Sequence, residues 1–371
     1  MKVFYLCALC LGLYFNGGVV SAQEVHQDLK EIVTADIREI VSEEDREILG
    51  TDTSVHVQHV EAVITSGSQT GKVVVFENEL TKLEKGDTVY MHYVKTIDGI
   101  EYYIFKDFKR HTELIVLSLF SVGLLIFFSG WQGVRALFSL AVSIGAIVFI
   151  LVPLMLEGYN PILVSLGVAT VVLASVLFLT HGFTAQTTIA FFGTFAAVLC
   201  TCLIAWISVT TMRLNGFGSD ASVALNFATR GTLDFGGLLL GSIIIGILGM
   251  LDDVSVTQVS VVQQLKRANK SLSSTELYKR SIQVGKDHLG SLVNTLALAY
   301  VGVSLPLVLL FIHANSAVGL TLNQEVVASE LVRIIVGSIG LVLAVPFTTL
   351  VASWYFGTHE VGEDSTHGHT H

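Results

Sequence analysis

The stretch "GGLLLGSIIIGILGMLDDVSVTQ" (residues 236–258) decides how the rest of the chain is interpreted. It is an apolar run long enough to cross a bilayer, and it ends in two adjacent carboxylates, Asp252 and Asp253. Further apolar windows of about 20 residues lie at roughly 114–130, 136–156, 161–180, 187–208, 289–311 and 331–353. With the window at 237–257, they predict seven transmembrane helices within residues 113–356.

The composition separates this apolar part from a polar one. The chain has 371 residues, of which 52% are hydrophobic and only 14% charged, and residues 23–112 are much richer in charge than the rest. A net charge of −10 argues against nucleic-acid binding, which needs a basic surface. The four cysteines all lie in apolar stretches. We therefore expect neither a disulfide nor a thiolate metal site, and we predict no cofactor.

The amino-terminal part predicts export of a small β-domain. Residues 1–22 have the pattern of a signal peptide cleaved after Ala22, and the alternative is an uncleaved anchor. Residues 23–112 then form an extracytoplasmic domain in which Asp28–Leu49 is helical or loose. Alternation at about 55–108 predicts four or five strands in a small barrel-like fold, because closure removes bare sheet edges. The fold class is thus an all-α membrane bundle preceded by an extracytoplasmic β-barrel-like domain.

Basic residues set the predicted orientation. The connection at about 258–288 has an excess of Lys and Arg, which favours the cytosol. Lys106, Lys109 and Arg110 on the outer side of the first span oppose this assignment. Residues 357–371 form a histidine-rich cytosolic tail, which is either a solvated end or a metal-buffering segment, so its metal binding stays unknown.

The carboxylate pair is the candidate functional site. Asp252 lies about 22 Å along a helix from Gly237, near the inner end of the fifth span. Ionised side chains in a membrane segment usually face a water-filled path or a bundle interior. Asp253 and Thr257 share a helix face, Gln258 lies on a flanking stripe, and Asn294 is in the sixth span. An ion or solute site would use Asp253, Asp252, Thr257, Gln258 and Asn294; the alternatives are a helix end that meets water and a helix–helix contact.

Small residues in the same span predict close helix packing. They are Gly237, Gly241, Gly246 and Gly249. Before this span, "GSDASVALNFATRG" (residues 218–231) predicts a short helix that Ser219 caps and Gly231 ends.

Two linked motifs carry a family resemblance. "GILGMLDDVSVTQVSVV" (residues 246–262) and "GKDHLGSLVNTLALAYVGVSLP" (residues 285–306) resemble the paired signatures of the YibE/F family of bacterial multi-pass membrane proteins. The resemblance implies an integral bacterial plasma-membrane protein of unestablished activity. Many members of that family carry one acid in a Met-Asp-Val context, which would correspond to Asp253.

Two function classes follow from these features. The first is a transporter or permease for an ion or small solute. The second is a non-transporting assembly or signalling protein whose outer domain binds envelope partners. We expect contacts with membrane lipid, and with other membrane or envelope proteins or further copies of the chain. An enzyme is not expected, because an intramembrane aspartyl protease needs a second buried acid on another helix, and the motifs of zinc hydrolases and P-loop ATPases are missing.

Overall fold

A computed structural model of the protein describes residues 29–47, 50, 54–96, 98–313 and 317–359. The expected signal peptide and all but the first three residues of the histidine-rich tail lie outside these residues. The chain divides into two compact units, Met1–Ser121 and Val122–His371.

The first unit is built around a five-stranded antiparallel sheet. Its strands are β1 (Leu29–Glu47), β2 (Ser54–Ile64), β3 (Val73–Asn78), β4 (Thr88–Lys95) and β5 (Glu101–Phe108), in the order β3-β2-β1-β4-β5. The strands expected at about 55–108 are therefore confirmed.

The expectation of a helical or loose segment at Asp28–Leu49 was wrong, because Leu29–Glu47 is the central strand of the sheet. Val33, Ala35 and Ile37 alternate onto the buried face, as in any half-buried strand. Register shifts at Ile37/Glu39 and Ile40/Ser42 then interrupt the alternation in an acidic stretch. Because of these irregularities, the strand cannot be predicted from alternation of polar and apolar residues alone.

The sheet is also not a closed barrel, which corrects the second expectation for this domain. Within the described residues, β3 and β5 are the edges and share no backbone ladder. An ion pair between Lys72 and Glu101 links their ends instead, and the hydroxyls of Tyr93 and Tyr103 also donate to Glu101. These contacts, led by Lys72, hold the pKa of the Glu101 carboxyl below its usual 4.5. The physical reason for the open sheet is that β1 pairs with a hairpin on each side, so the two outer strands meet only through side chains.

Helices make up the rest of the described chain. They are α1 (His111–Ala146), a π-helical turn (Ile147–Leu151), α2 (Val152–Leu156), α3 (Pro161–His181), α4 (Ala185–Thr211), α5 (Asp220–Ala228), α6 (Phe235–Ala268), α7 (Ser274–Val303), α8 (Leu305–His313), α9 (Val318–Asn323) and α10 (Glu325–Thr358).

Five helical runs are long and apolar enough to cross a membrane, and the number becomes six if α7 and α8, which meet at a bend of 64°, form one broken span. The seven predicted spans are not confirmed, because the windows at 114–130 and 136–156 fall in one run of 46 residues, His111–Leu156. That run is interrupted at Gly130, whose φ of 54° and ψ of −134° are not helical.

Capping boxes begin two helices of the second unit, and the first of them confirms a helix start expected from the sequence. The helix expected after Ser219 is α5, which begins with a reciprocal capping box between Ser219 and Ser222. Helix α7 begins with a second capping box, between Ser273 and Glu276. Because α6 continues to Ala268, the connection expected at about 258–288 is a short turn between two long helices.

Helix α6 lies at the centre of the second unit. It packs against α3, α4, α7 and α10, and it is the most buried of the five candidate spans. Helix α10 in turn packs along α4, α6 and α7. The carboxylate pair is therefore carried by the most enclosed helix of the bundle.

Candidate polar site on helix α6

The two adjacent carboxylates lie in different environments. Asp252 is half-buried, and its Oδ1 atom is buried without a hydrogen-bond partner among the described residues. Asp253 is exposed. One turn further along, Ser255 is buried and accepts a hydrogen bond of 3.1 Å from the Thr348 hydroxyl of α10, whereas Thr257 is exposed. The pair thus presents one carboxylate to the bundle and one to its surface.

The exposed surface of α6 is polar along most of the helix. Before the last two residues of α6, its exposed residues are either glycine or polar, and they recur at helical spacing on one face. We call these residues the polar stripe: Gly246, Gly249, Asp253, Thr257 and Gln264. No large apolar residue of α6 is exposed, whereas α1 exposes Leu117, Phe120 and Phe127 to between 64% and 81%. The surface of α1 suits hydrocarbon, but the polar stripe does not, because polar groups in lipid are costly.

Helix α7 carries a polar surface at the same level. Two contacts fix its antiparallel register against α6, because Gly246 lies beneath the Tyr300 hydroxyl and the Gln258 amide binds the Ser281 carbonyl. Asp253 lies between these contacts on α6. Between Lys286 and Thr295, the exposed residues of α7 are all small or polar, namely Lys286, Asp287, His288, Gly290, Ser291, Asn294 and Thr295. Neighbouring helices therefore both expose polar groups at the depth of Asp253.

Gln258 forms a helix–helix contact, which the sequence left open as an alternative to a site residue. Its side chain is 3% exposed, and its Nε2 donates to the Ser281 carbonyl at 2.9 Å and to the Thr349 hydroxyl at 2.7 Å. Gly285 leaves room for this amide, since a methyl group there would lie 2.9 Å from Oε1. Gln258 thus joins α6, α7 and α10 as a buried helix contact.

The five predicted site residues are only partly brought together. Asp253 and Thr257 lie on the polar stripe, Asn294 is exposed on α7, Asp252 is turned inward, and Gln258 is a helix contact. Within the described part of the chain, no hydrogen bond joins Asn294 to Asp253. Sequence reasoning missed Thr348 and Thr349, although two adjacent hydroxyls in the apolar "PFTTLV" run were a usable signal.

Three of the four glycines singled out in the fifth span lie against neighbouring helices. A methyl group on Gly237 would lie 2.5 Å from Pro161 Cγ, and one on Gly241 would collide with the Ser165 hydroxyl. A methyl group on Gly246 would lie 2.6 Å from the Tyr300 hydroxyl. Gly249 differs, because a methyl group there would meet no atom within 4 Å. Packing therefore accounts for the first three glycines, and Gly249 belongs to the open part of the polar stripe.

Two histidines of the sheet lie beside carboxylates. His56 Nδ1 lies 2.8 Å from the Asp45 carboxylate, and His59 lies 3.9 Å from Glu77. The hydrogen bond to Asp45 is the main reason that the pKa of the His56 imidazole is raised above its usual 6.5. Among the residues that the structure describes, no three His, Cys, Asp or Glu side chains are grouped to hold a metal ion.

A bundle of five or six apolar candidate spans, with a polar site on its most buried helix, defines a multi-pass membrane protein. Residues 117–358 match the family model described as YibE/F-like protein, and because the match covers more than half of the sequence, the chain belongs to that family. No curated protein and no solved structure matched the chain.

Proposed function

We propose that the protein is a permease for a proton, a metal cation or a small cationic solute, with Asp253 as the residue that binds it. The observation that carries this proposal is the polar stripe, in which exposed glycine and polar positions replace the large apolar side chains expected on a lipid-facing helix. A carboxylate at its centre supplies negative charge for a cation. The exposed polar residues of α7 at the same depth form the second wall of the proposed cation site.

Asp252 and the two amide side chains complete this proposal. The Asp252 carboxylate, one residue from Asp253 and turned inward, adds negative charge to the inner side of the site. Asn294 supplies an exposed amide on α7, and Thr257 supplies a hydroxyl one turn inward of Asp253. Gln258 acts indirectly, because its hydrogen bonds keep α6, α7 and α10 in register around the site. The protein would move its substrate without converting it chemically.

The proposed membrane topology has seven crossings. A straight helix of 46 residues would be about 69 Å long, more than twice the hydrocarbon thickness of about 30 Å. The break at Gly130 divides this run into two segments, each long enough for one crossing. With Lys266, Arg267 and Lys270 in the cytosol, as the positive-inside rule favours, seven crossings put the β-domain outside the plasma membrane and the carboxyl terminus in the cytosol.

The experiment that tests the permease is a flux assay on purified full-length protein in liposomes. Protons, sodium, potassium and methylammonium are the probes, each compared with protein-free liposomes. We expect Asp253→Asn to lower the flux of the transported probe by about 10- to 100-fold, because a hydrogen bond to a charged group contributes roughly 1.5–3 kcal/mol. The side-chain volume hardly changes, so the fold should be kept.

Asp220→Asn is the matched control for this variant. Asp220 is an exposed carboxylate in the first turn of α5, outside the polar stripe, and its substitution should leave flux unchanged. If folded Asp253→Asn protein carried every probe at the wild-type rate, Asp253 would not be the binding residue. If wild-type protein carried none of the four probes, transport of these cations would be rejected.

A partner-binding role for the sheet is the second candidate function. Ile32, Tyr102 and Ile104 are about half exposed, and Ile32 and Ile104 lie in one row on either side of His92. Apolar side chains grouped on an outer sheet surface favour contact with another envelope protein. A photoreactive residue at position 104 should then cross-link one reproducible protein in intact cells, and a photoreactive residue at exposed position 85 should not. Equal, unspecific cross-linking from both positions would count against this role.

A further inference from the structure

A cavity of about 570 Å³ lies between the end of α7, helices α8 and α9, and the first turns of α10. Its walls are almost entirely apolar, with Val301, Leu307, Val308, Phe311, Leu322 and Leu331 among the residues that line it. The volume lies within the range of pockets that hold small organic ligands, roughly 300–1,000 Å³. No residue of the polar stripe lines the cavity, although Tyr300 in the lining also contacts Gly246 of the stripe.

The bend between α7 and α8 opens this space. The two helices meet at 64° near Ser304, and Pro306, the second residue of α8, has no N–H to extend the hydrogen bonds of α7. Helix α8 consequently leans away from the axis of α7. The cavity lies on the inner side of this bend, against Val327 and Leu331 of α10.

Glu330 is the charged residue in the lining of the cavity, and a neighbouring cation compensates it, while Ser304 and Thr321 add hydroxyl groups. Tyr300 and Glu330 are in its lining. Arg333, one turn further along α10, lies 3.4 Å from the Glu330 carboxylate and holds its guanidinium 5.9 Å from the centre of the Tyr300 ring. Since the carboxylate already has a cationic partner, the cavity offers no net charge to an ionic ligand. Its remaining surface favours an apolar one.

The exposed apolar residues next to the cavity indicate which apolar molecule can reach it. Residues of α8 and α9 that do not line the cavity, including Leu309, Leu310 and Leu320, are between 59% and 64% exposed and form an apolar outer surface next to it. Water does not fill a cavity lined by aliphatic and aromatic side chains. We infer that the cavity binds one acyl chain of a membrane phospholipid, which enters from the bilayer and supports the bend between α7 and α8. This inference does not depend on the permease function.

Photolabelling of the full-length protein in liposomes tests the site. The probe is phosphatidylcholine with a diazirine at the end of one acyl chain, and labelled peptides are identified by mass spectrometry. We expect labelling of Leu307, Phe311 and Leu331 to exceed labelling of the outward-facing Leu309 and Leu310. Leu331→Trp should lower labelling of Leu307 and Phe311 by about tenfold, since a larger side chain would displace roughly two methylene groups at about 0.8 kcal/mol each.

Leu350→Trp is the control for added bulk on the same helix. Leu350 is 58% exposed on α10 and does not line the cavity, so its substitution should not change labelling. Val308→Trp fills the cavity from the opposite wall and should repeat the effect if Leu331→Trp protein does not fold. Equal labelling of cavity-lining and outward positions would overturn the inference. So would labelling that survives both filling variants.

Discussion

Asp252 and Asp253 are consecutive residues, but a helix places successive side chains about 100° apart. That rotation turns Asp252 toward the bundle and Asp253 toward its surface. The same rule separates Thr257, on the polar stripe, from Gln258, which is buried between three helices. Helix geometry already placed Asp253 and Thr257 on one face and Gln258 beside it, but only the packing of neighbouring helices shows which side of α6 is buried.

Two glycines of α6 allow a matched prediction at this scale. Gly237→Ala should lower the stability of the detergent-solubilised protein by about 1–3 kcal/mol, because its methyl group would overlap the rigid ring of Pro161 on α3. Gly249→Ala should leave stability unchanged or raise it by up to about 1 kcal/mol, since the added methyl group meets open space and alanine favours helix. Thermal unfolding of both variants measures the difference. Equal loss of stability would show that the contact with Pro161 does not limit this position.

At the scale of elements, the loop after α4 is held by the first residue of α10. The Oε1 atom of Glu325 accepts hydrogen bonds from the backbone N–H groups of Asn215, Gly216 and Phe217, at 2.8, 2.6 and 3.2 Å. Gly216 has a φ of 83°, and a methyl group there would collide with the carbonyl oxygen of Phe235. A carboxylate and a glycine therefore fix the path of this loop together.

Removal of that carboxylate should release the loop. We expect Glu325→Ala to speed hydrogen–deuterium exchange of the amides of residues 215–217 by about tenfold or more, since hydrogen bonds to a charged group contribute roughly 1.5–3 kcal/mol. Gln324→Ala is the control, because the neighbouring Gln324 side chain forms no capping hydrogen bond to α10. Unchanged exchange in Glu325→Ala protein would mean that other contacts hold the loop.

The elements differ in how much of them could be predicted from the sequence. Helices α3, α4, α6 and α10 follow from apolar length alone, and the starts of α5 and α7 follow from capping residues that act within one turn. Strand β1 could not be predicted in this way, because its bulges break the alternation and its central position depends on pairing with residues far along the chain. The inward turn of Asp252 and the partners of Gln258 on α7 and α10 were hidden for the same reason, since they depend on which helices are neighbours.

At the scale of the whole molecule, the proposed membrane topology rests on how often the helical run that breaks at Gly130 crosses the membrane. If residues 111–156 cross twice, the β-domain and the connection between α6 and α7 lie on opposite sides of the membrane. If they cross once, both lie on the same side. The apolar windows of the sequence suggested two crossings, but the count depends on the conformation of one glycine.

Cysteine labelling in intact cells tests this topology. Lys85→Cys in the β-domain and Lys270→Cys between α6 and α7 are both at exposed positions, in a background without the four native cysteines. We expect a membrane-impermeant maleimide to label Lys85→Cys in intact cells and Lys270→Cys only after permeabilisation. Equal labelling of both in intact cells would instead indicate a single crossing by residues 111–156.

Helix α10 makes close contacts at both of its ends. Glu325 at its first residue grips the backbone of the loop at 215–217, and Gly357 near its last residue lies so close to Ser274, the first residue of α7, that a methyl group would not fit. Helix α10 is therefore held in place by contacts at both of its ends. It connects the loop after α4 with the start of α7, which it meets at its opposite end.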